Sequence, residues 1–158
     1  MKKTLLILAI TLSTVSYSQL SDDNWHHAVN ECLATNPIDG LCNNSPHGIM
    51  PDWDVSNVDD MSGTFKNRST FNADISNWDV SNVRLMSKMF YEAFNFNEDI
   101  HDWDVSKVTN MGSMFLFATS FNQPLDSCDV ISLTTMNSMF KSATSFNTDI
   151  SPWNVKKN

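Results

Sequence analysis

Glycine is scarce in this chain, with four in 158 residues, so no loop exists that could cradle a phosphate on backbone N–H groups. Histidine is equally sparse, and only His26 and His27 adjoin; neighbours on a helix do not face one site. The many serines include no GxSxG elbow. Cations are few as well. Once Lys2 and Lys3 are set aside, 8 cations face 18 acids, a net charge of about −10. Nucleic acid and anionic membrane both need a positive footprint, so neither is expected as a partner. These shortages leave no catalytic residue to nominate, no metal centre and no cofactor. The sequence points away from an enzyme.

The first 18 residues stand apart from the rest. Lys2 and Lys3 lead an apolar stretch, 5–12 (LLILAITL), that is too short to span a bilayer, and the small residues Ser16 and Ser18 follow. This order is that of an export signal, with Gln19 first in the mature chain. No cysteine sits at a lipid-attachment position and no later apolar run could anchor the chain. The mature protein is expected to be secreted or at the cell surface, without membrane insertion. The three cysteines then face an oxidising compartment. Cys32 and Cys42 flank a turn built from Asn36-Pro37 and Asp39-Gly40, and are expected to be bonded. Cys128 is left over, expected as a buried inert thiol.

What is present in abundance is repetition. From Trp53 onward the chain repeats every 25 residues without insertion or deletion. Trp53, Trp78, Trp103 and Trp153 fall on one comb, with Cys128 in the missing tooth. Phe65, Phe90, Phe115 and Phe140 keep the same step, as do Phe71, Phe96, Phe121 and Phe146, and Asn72, Asn97, Asn122 and Asn147. A fixed period of this length is the mark of units that bury apolar faces only against their neighbours. Trp78-Asp79-Val80 alternates in and out, as a half-buried strand does. Met86, Met89, Phe90 and Ala93 fall at i, i+3, i+4, i+7, one face of a short helix. The sequence therefore predicts an α/β repeat solenoid similar to leucine-rich repeats, with about four strand–turn–short-helix units starting at 53, 78, 103 and 128 and a partial one at 153. The division expected is 1–18 signal, 19–52 N-terminal cap and 53–158 repeats. Trp25, Ala28, Val29, Cys32 and Leu33 form the stripe of a capping helix. Thr64 and Arg68 replace the Met and Ala of the pattern in the first unit, as expected where a unit meets a cap.

Two polar columns accompany the core. Asn72, Asn97, Asn122 and Asn147, fixed at a turn, are expected to form a ladder of backbone hydrogen bonds between coils. Asp54, Asp79, Asp104 and Asp129 would project outward about 4.8 Å apart at strand spacing and repel by about 0.9 kcal/mol even in bulk water. Each carboxylate either caps the turn that follows it or shares a cation such as Ca²⁺ with its neighbours; one Asp per coil is thin for calcium, which favours the cap. The same column is the candidate ligand-binding face.

WDVSNVDDMSGTF, WDVSNVRLMSKMF and WDVSKVTNMGSMF, each followed by an FN…DIS return, resemble the BspA-like leucine-rich-repeat surface proteins. The resemblance covers 53–155, and the segment 28–50 is similar to the lead-in that family places before its first unit. It implies a non-catalytic secreted or surface protein with a role in adhesion. Unit four departs from the pattern at Pro124-Leu125-Asp126 and at Cys128. The leading expectation is a binding module for a protein or glycan partner. The alternative is a purely structural or self-assembling repeat piece, such as a fragment of a longer surface protein. An end-to-end homodimer is expected because Phe140, Phe146 and Ile150 have little beyond them but Trp153, while Lys156 and Lys157 guard the edge.

Overall fold

The computed structural model describes residues 19–155. The expected export signal, 1–18, and the edge lysines Lys156 and Lys157 lie outside the described residues.

One α-helix, α1 (Trp25–Thr35), precedes the repeats and buries Trp25, Ala28, Val29, Cys32 and Leu33. That stripe lies on the first unit. The Trp25 ring meets Trp53 at 6.0 Å and Trp78 at 5.3 Å, both edge to face. On the polar side, Arg68 donates to Asn30 Oδ1 at 2.6 Å and His26 Nε2 donates to Ser62 O at 3.0 Å. Cys32 and Cys42 are bonded, ten residues apart, a closure worth about 2–3 kcal/mol if loop entropy dominates. The loop they close is tied to the repeats, because Asn72 N–H donates to Ile38 O at 2.7 Å. A 3₁₀ turn, Met50–Asp52, then delivers the chain to Trp53.

The α/β repeat solenoid expected from the sequence does not form. Among the described residues there is no strand, only single parallel bridges joining Asp60, Leu85, Asn110 and Thr135. No repeat unit contains a helix either. The segment 86–93, whose spacing reads as helical, is a run of turns. Met89 N–H donates to Met86 O, Tyr91 N–H to Lys88 O and Ala93 N–H to Phe90 O. The amides in between point out of the unit: those of Met86, Lys88, Phe90 and Glu92 donate to the carbonyls of Asn110, Gly112, Met114 and Leu116, at 2.9–3.0 Å. The same four crossings join 61–67 to 85–91 and 111–117 to 135–141. Each unit is therefore a string of turns, and in units one to three the spare N–H groups are satisfied by the next unit.

The backbone explains why a helix is excluded. Two left-handed residues recur four positions apart in every unit: Gly63 and Asn67, Lys88 and Glu92, Ser113 and Phe117, Ser138 and Ser142, with φ between 55° and 68°. Such a residue suits the third position of a tight turn and cannot continue a right-handed helix. Spacing gives the second reason. The rings of Phe65, Phe90, Phe115 and Phe140 stack at 5.5, 5.4 and 5.6 Å, whereas packed helices stand about 8–10 Å apart. Units this close have no room for helices on the segment that carries those rings.

The apolar residues chosen from the period do form the core. Phe71, Phe96, Phe121 and Phe146 make a second column at 5.9–6.0 Å, and each ring also lies 3.9–4.0 Å from the Phe of its own unit. Three tryptophans bond backward across 28 positions of sequence, each to a carbonyl of the preceding coil. The indole N–H groups of Trp78, Trp103 and Trp153 donate to the carbonyls of Met50, Ile75 and Leu125 at 3.0, 3.2 and 2.8 Å. Trp53 makes the equivalent bond to Gly48 O.

Candidate functional site

The Asp column does not gather into a site. Each carboxylate closes its own turn two residues on. Asp54 Oδ1 accepts from Ser56 N–H and, at 2.6 Å, from Ser56 Oγ. Asp79, Asp104 and Asp129 accept from the N–H groups of Ser81, Ser106 and Ile131 at 3.0 Å. The Ser81 hydroxyl and then its N–H hold Asp79 below the ordinary carboxylate range, and Ser106 does the same for Asp104. The sequence reading passed over a second column of the same kind: Asp74, Asp99 and Asp149 accept from the N–H groups of Ser76, His101 and Ser151. Among the described residues no group of three or more His, Cys, Asp or Glu is placed to hold a metal ion.

The asparagines are likewise internal to the architecture. The side-chain oxygens of Asn72, Asn97 and Asn122 accept from the backbone N–H of Asn97, Asn122 and Asn147, each at 2.8 Å. One carbonyl oxygen per unit thus replaces a strand ladder on that side.

Cys128 is half-buried, and desolvation, with the charge of Asp126, pushes its thiol up to about 11. Its short side chain leaves an apolar gap of ≈ 20 Å³ whose walls include Trp103, Phe115 and Trp153. That is room for about one water and no ligand.

What the repeat does not explain lies on the turn segments of units two and three. Phe94 and Phe117 are 42 % and 38 % exposed. Their counterparts in the other units are polar: Ser69, Thr119 and Thr144 for Phe94, and Asn67, Glu92 and Ser142 for Phe117. Phe117 is one of the left-handed residues, with φ of 63°, a backbone that a bulky side chain adopts at a cost of about 1–2 kcal/mol. It meets the Tyr91 ring edge-on at 6.3 Å, and Lys66 Nζ stands 5.5 Å from the centre of that same ring. Tyr91 and Phe117 thus form an aromatic face across two successive units, and Phe94 is exposed three positions after Tyr91. Writing the units one under another would have exposed both phenylalanines as breaks in polar columns, a signal that a search for recurring residues overlooks.

Charge is segregated onto this face. The turn segments 61–68, 86–93, 111–118 and 136–143 carry Lys66, Arg68, Lys88 and Lys141 against the single acid Glu92. All the other acids of this acidic chain lie outside these four segments. No helix among the described residues is long and apolar enough to cross a membrane.

No curated protein and no solved structure matches the chain. Residues 41–153 match the family described as Mycoplasma protein of unknown function, DUF285, and since that match spans most of the sequence, including all four repeats, the chain belongs to this family.

Proposed function

We propose that the protein is a non-catalytic binding module, exported by the signal at 1–18 and acting as a secreted or surface protein of the BspA-like kind. Its partner is a protein or a glycan. The observation that carries this reading is Phe117, an exposed aromatic residue on a strained backbone where the other units place Asn, Glu or Ser. Neither burial nor backbone geometry favours a phenylalanine there, and exposed aromatic residues are the usual anchors of interfaces. The binding face is thus moved from the Asp column, whose carboxylates are engaged in their own turns, to the aromatic face of units two and three.

The test is a panel of immobilised glycans and extracellular proteins, probed with the wild-type chain and with Phe94→Thr/Phe117→Asn. Both substitutions borrow residues that other units carry at the same positions, Thr119 and Asn67, so the stack should hold. A partner bound by the wild type and lost by the double variant, at a melting temperature no lower than that of the wild type, supports the reading. Binding that survives the double variant, or none across the panel, contradicts it.

A self-assembling repeat piece is the second reading. Phe140 and Phe146 are only half-buried where Phe90 and Phe96 are buried, and among the described residues nothing accepts from the amides of Met136, Ser138, Phe140 and Ser142. These four N–H groups all point one way. A two-fold partner would meet donors with donors, so the rings alone would have to hold the end-to-end homodimer. Sedimentation over a wide concentration range decides it, and a monomer throughout sinks the idea.

A further inference from the structure

We infer that the aromatic face takes an acidic polysaccharide, a chain of sugars bearing carboxylates or sulfates. The inference rests on the binding-module reading above and names the ligand class of that face. Three observations carry it.

The first is the arrangement of charge around the rings. Positions 66, 91, 116 and 141 form one column through the four units, and it reads Lys66, Tyr91, Leu116, Lys141. A cation therefore stands at each end of an apolar centre, three stacking steps of 5.4–5.6 Å apart. Lys88, also exposed, lies on the same turn of unit two, three positions before Tyr91. Elsewhere the surface is acidic, so a polyanion is repelled by the rest of the molecule and attracted here.

The second observation is the shape of the apolar part. Half-buried Tyr91 and exposed Phe117, from adjacent units, meet edge-on at 6.3 Å, and Phe94, three positions after Tyr91, is exposed as well. Such a platform suits a ligand that lies along the stack and offers flat C–H faces to the rings, as sugar rings do. The lysines can then reach acidic substituents at intervals along the chain.

The third observation separates a glycan from an acidic peptide. Peptides that dock on a fold edge are held mainly by main-chain hydrogen bonds. Here the backbone is already committed. The amides of Phe65, Asn67, Phe90 and Glu92 are bonded to carbonyls of the following unit, and Phe94 O accepts from Ser120 N–H and Thr119 Oγ1. Among the described residues the amides left over include that of Phe94 and the spare ones of unit four, so a ligand lying over Tyr91 and Phe117 is recognised mainly through rings and side-chain charges. That favours a glycan over an extended acidic peptide.

Binding is measured in solution with the full mature chain and four probes: a sulfated polysaccharide, a polyuronate, neutral dextran and polyglutamate. The expected result is binding to one or both acidic polysaccharides, weakening as salt is raised, with neither dextran nor polyglutamate competing. Phe94→Thr/Phe117→Asn should weaken it about tenfold or more. Lys66→Gln/Lys141→Gln should weaken it and flatten its salt dependence. Melting temperatures no lower than that of the wild type confirm that each variant is folded. Equal or tighter binding of polyglutamate overturns the inference in favour of an acidic peptide. Acidic-glycan binding that ignores the aromatic substitutions overturns it as simple ion exchange. A neutral glycan or a protein lost on the aromatic substitutions, with no acidic glycan bound, overturns the ligand class and leaves the binding module standing. No ligand of any kind overturns both.

Discussion

The indole N–H of Trp25 donates to the hydroxyl of Thr64 at 3.0 Å, joining α1 to the first repeat across 39 positions of sequence. Thr64 Oγ1 in turn donates to Met61 O at 2.8 Å. The later units place methionine here, at Met89, Met114 and Met139. Restoring the repeat by Thr64→Met should therefore destabilise the protein, by about 1–3 kcal/mol, because a buried indole N–H loses its acceptor. Chemical denaturation checks it. An unchanged or raised midpoint would mean that α1 is not held through this bond.

Phe117 offers the opposite test, of a position where stability has been given up. Phe117→Asn places a residue that tolerates φ of 63° and removes an exposed ring. The melting temperature should rise, by the equivalent of about 1 kcal/mol. A fall would mean that the contact with Tyr91 outweighs the backbone cost, and would weaken the case for a binding role.

The missing tooth of the tryptophan comb predicts both reactivity and stability. With its thiol pushed up to about 11, Cys128 should react slowly with thiol reagents at mildly alkaline pH, and quickly once the chain is unfolded. Cys128→Val should stabilise by about 1 kcal/mol, since its extra methyl fits a gap with room for about one water. A lowered midpoint would show that the neighbours have closed over the gap.

His101 sits between carboxylates, with Nδ1 2.9 Å from Asp99 and Nε2 3.0 Å from Asp102. The hydrogen bond to Asp99, then the charges of Asp102, Asp99 and Asp126, raise it above the ordinary 6.5 despite some desolvation. A raised folded value means that the stabilisation is complete below 6.5 and is lost as pH rises through that higher value. An NMR titration of the His101 ring should give a midpoint above 6.5, lowered by Asp99→Asn. A midpoint at or below the ordinary value would contradict the geometry.

The sequence revealed which side chains face inward more completely than it revealed the backbone. Trp25 to Leu33 read as a helix and are one, because a single element on one face has no competing partner for its amides. Met86, Met89, Phe90 and Ala93 carry the same spacing and are not a helix, although all four are buried. An apolar pattern names the residues turned toward the core; it does not say whether their N–H groups bond within the unit or to the next one. The left-handed positions decide that, and they are masked in the sequence by Lys88, Glu92, Ser113 and Phe117, residue types that seldom signal such a backbone. Only Gly63 and Asn67 in the first unit hinted at it. Trp78-Asp79-Val80 failed for a related reason: the alternation of burial is real, but Asp79 closes a turn instead of sitting in a ladder.

Units one to three give their spare amides to the next unit and keep none for a helix. Through-hydrogen-bond scalar coupling between ¹⁵N and ¹³C′ tests this at one atom pair. The amide nitrogen of Phe90 should couple to the carbonyl of Met114, which it reaches at 2.9 Å. A coupling to the carbonyl of Met86, the partner that an α-helix would supply, would contradict the account and restore the helix that the sequence suggested.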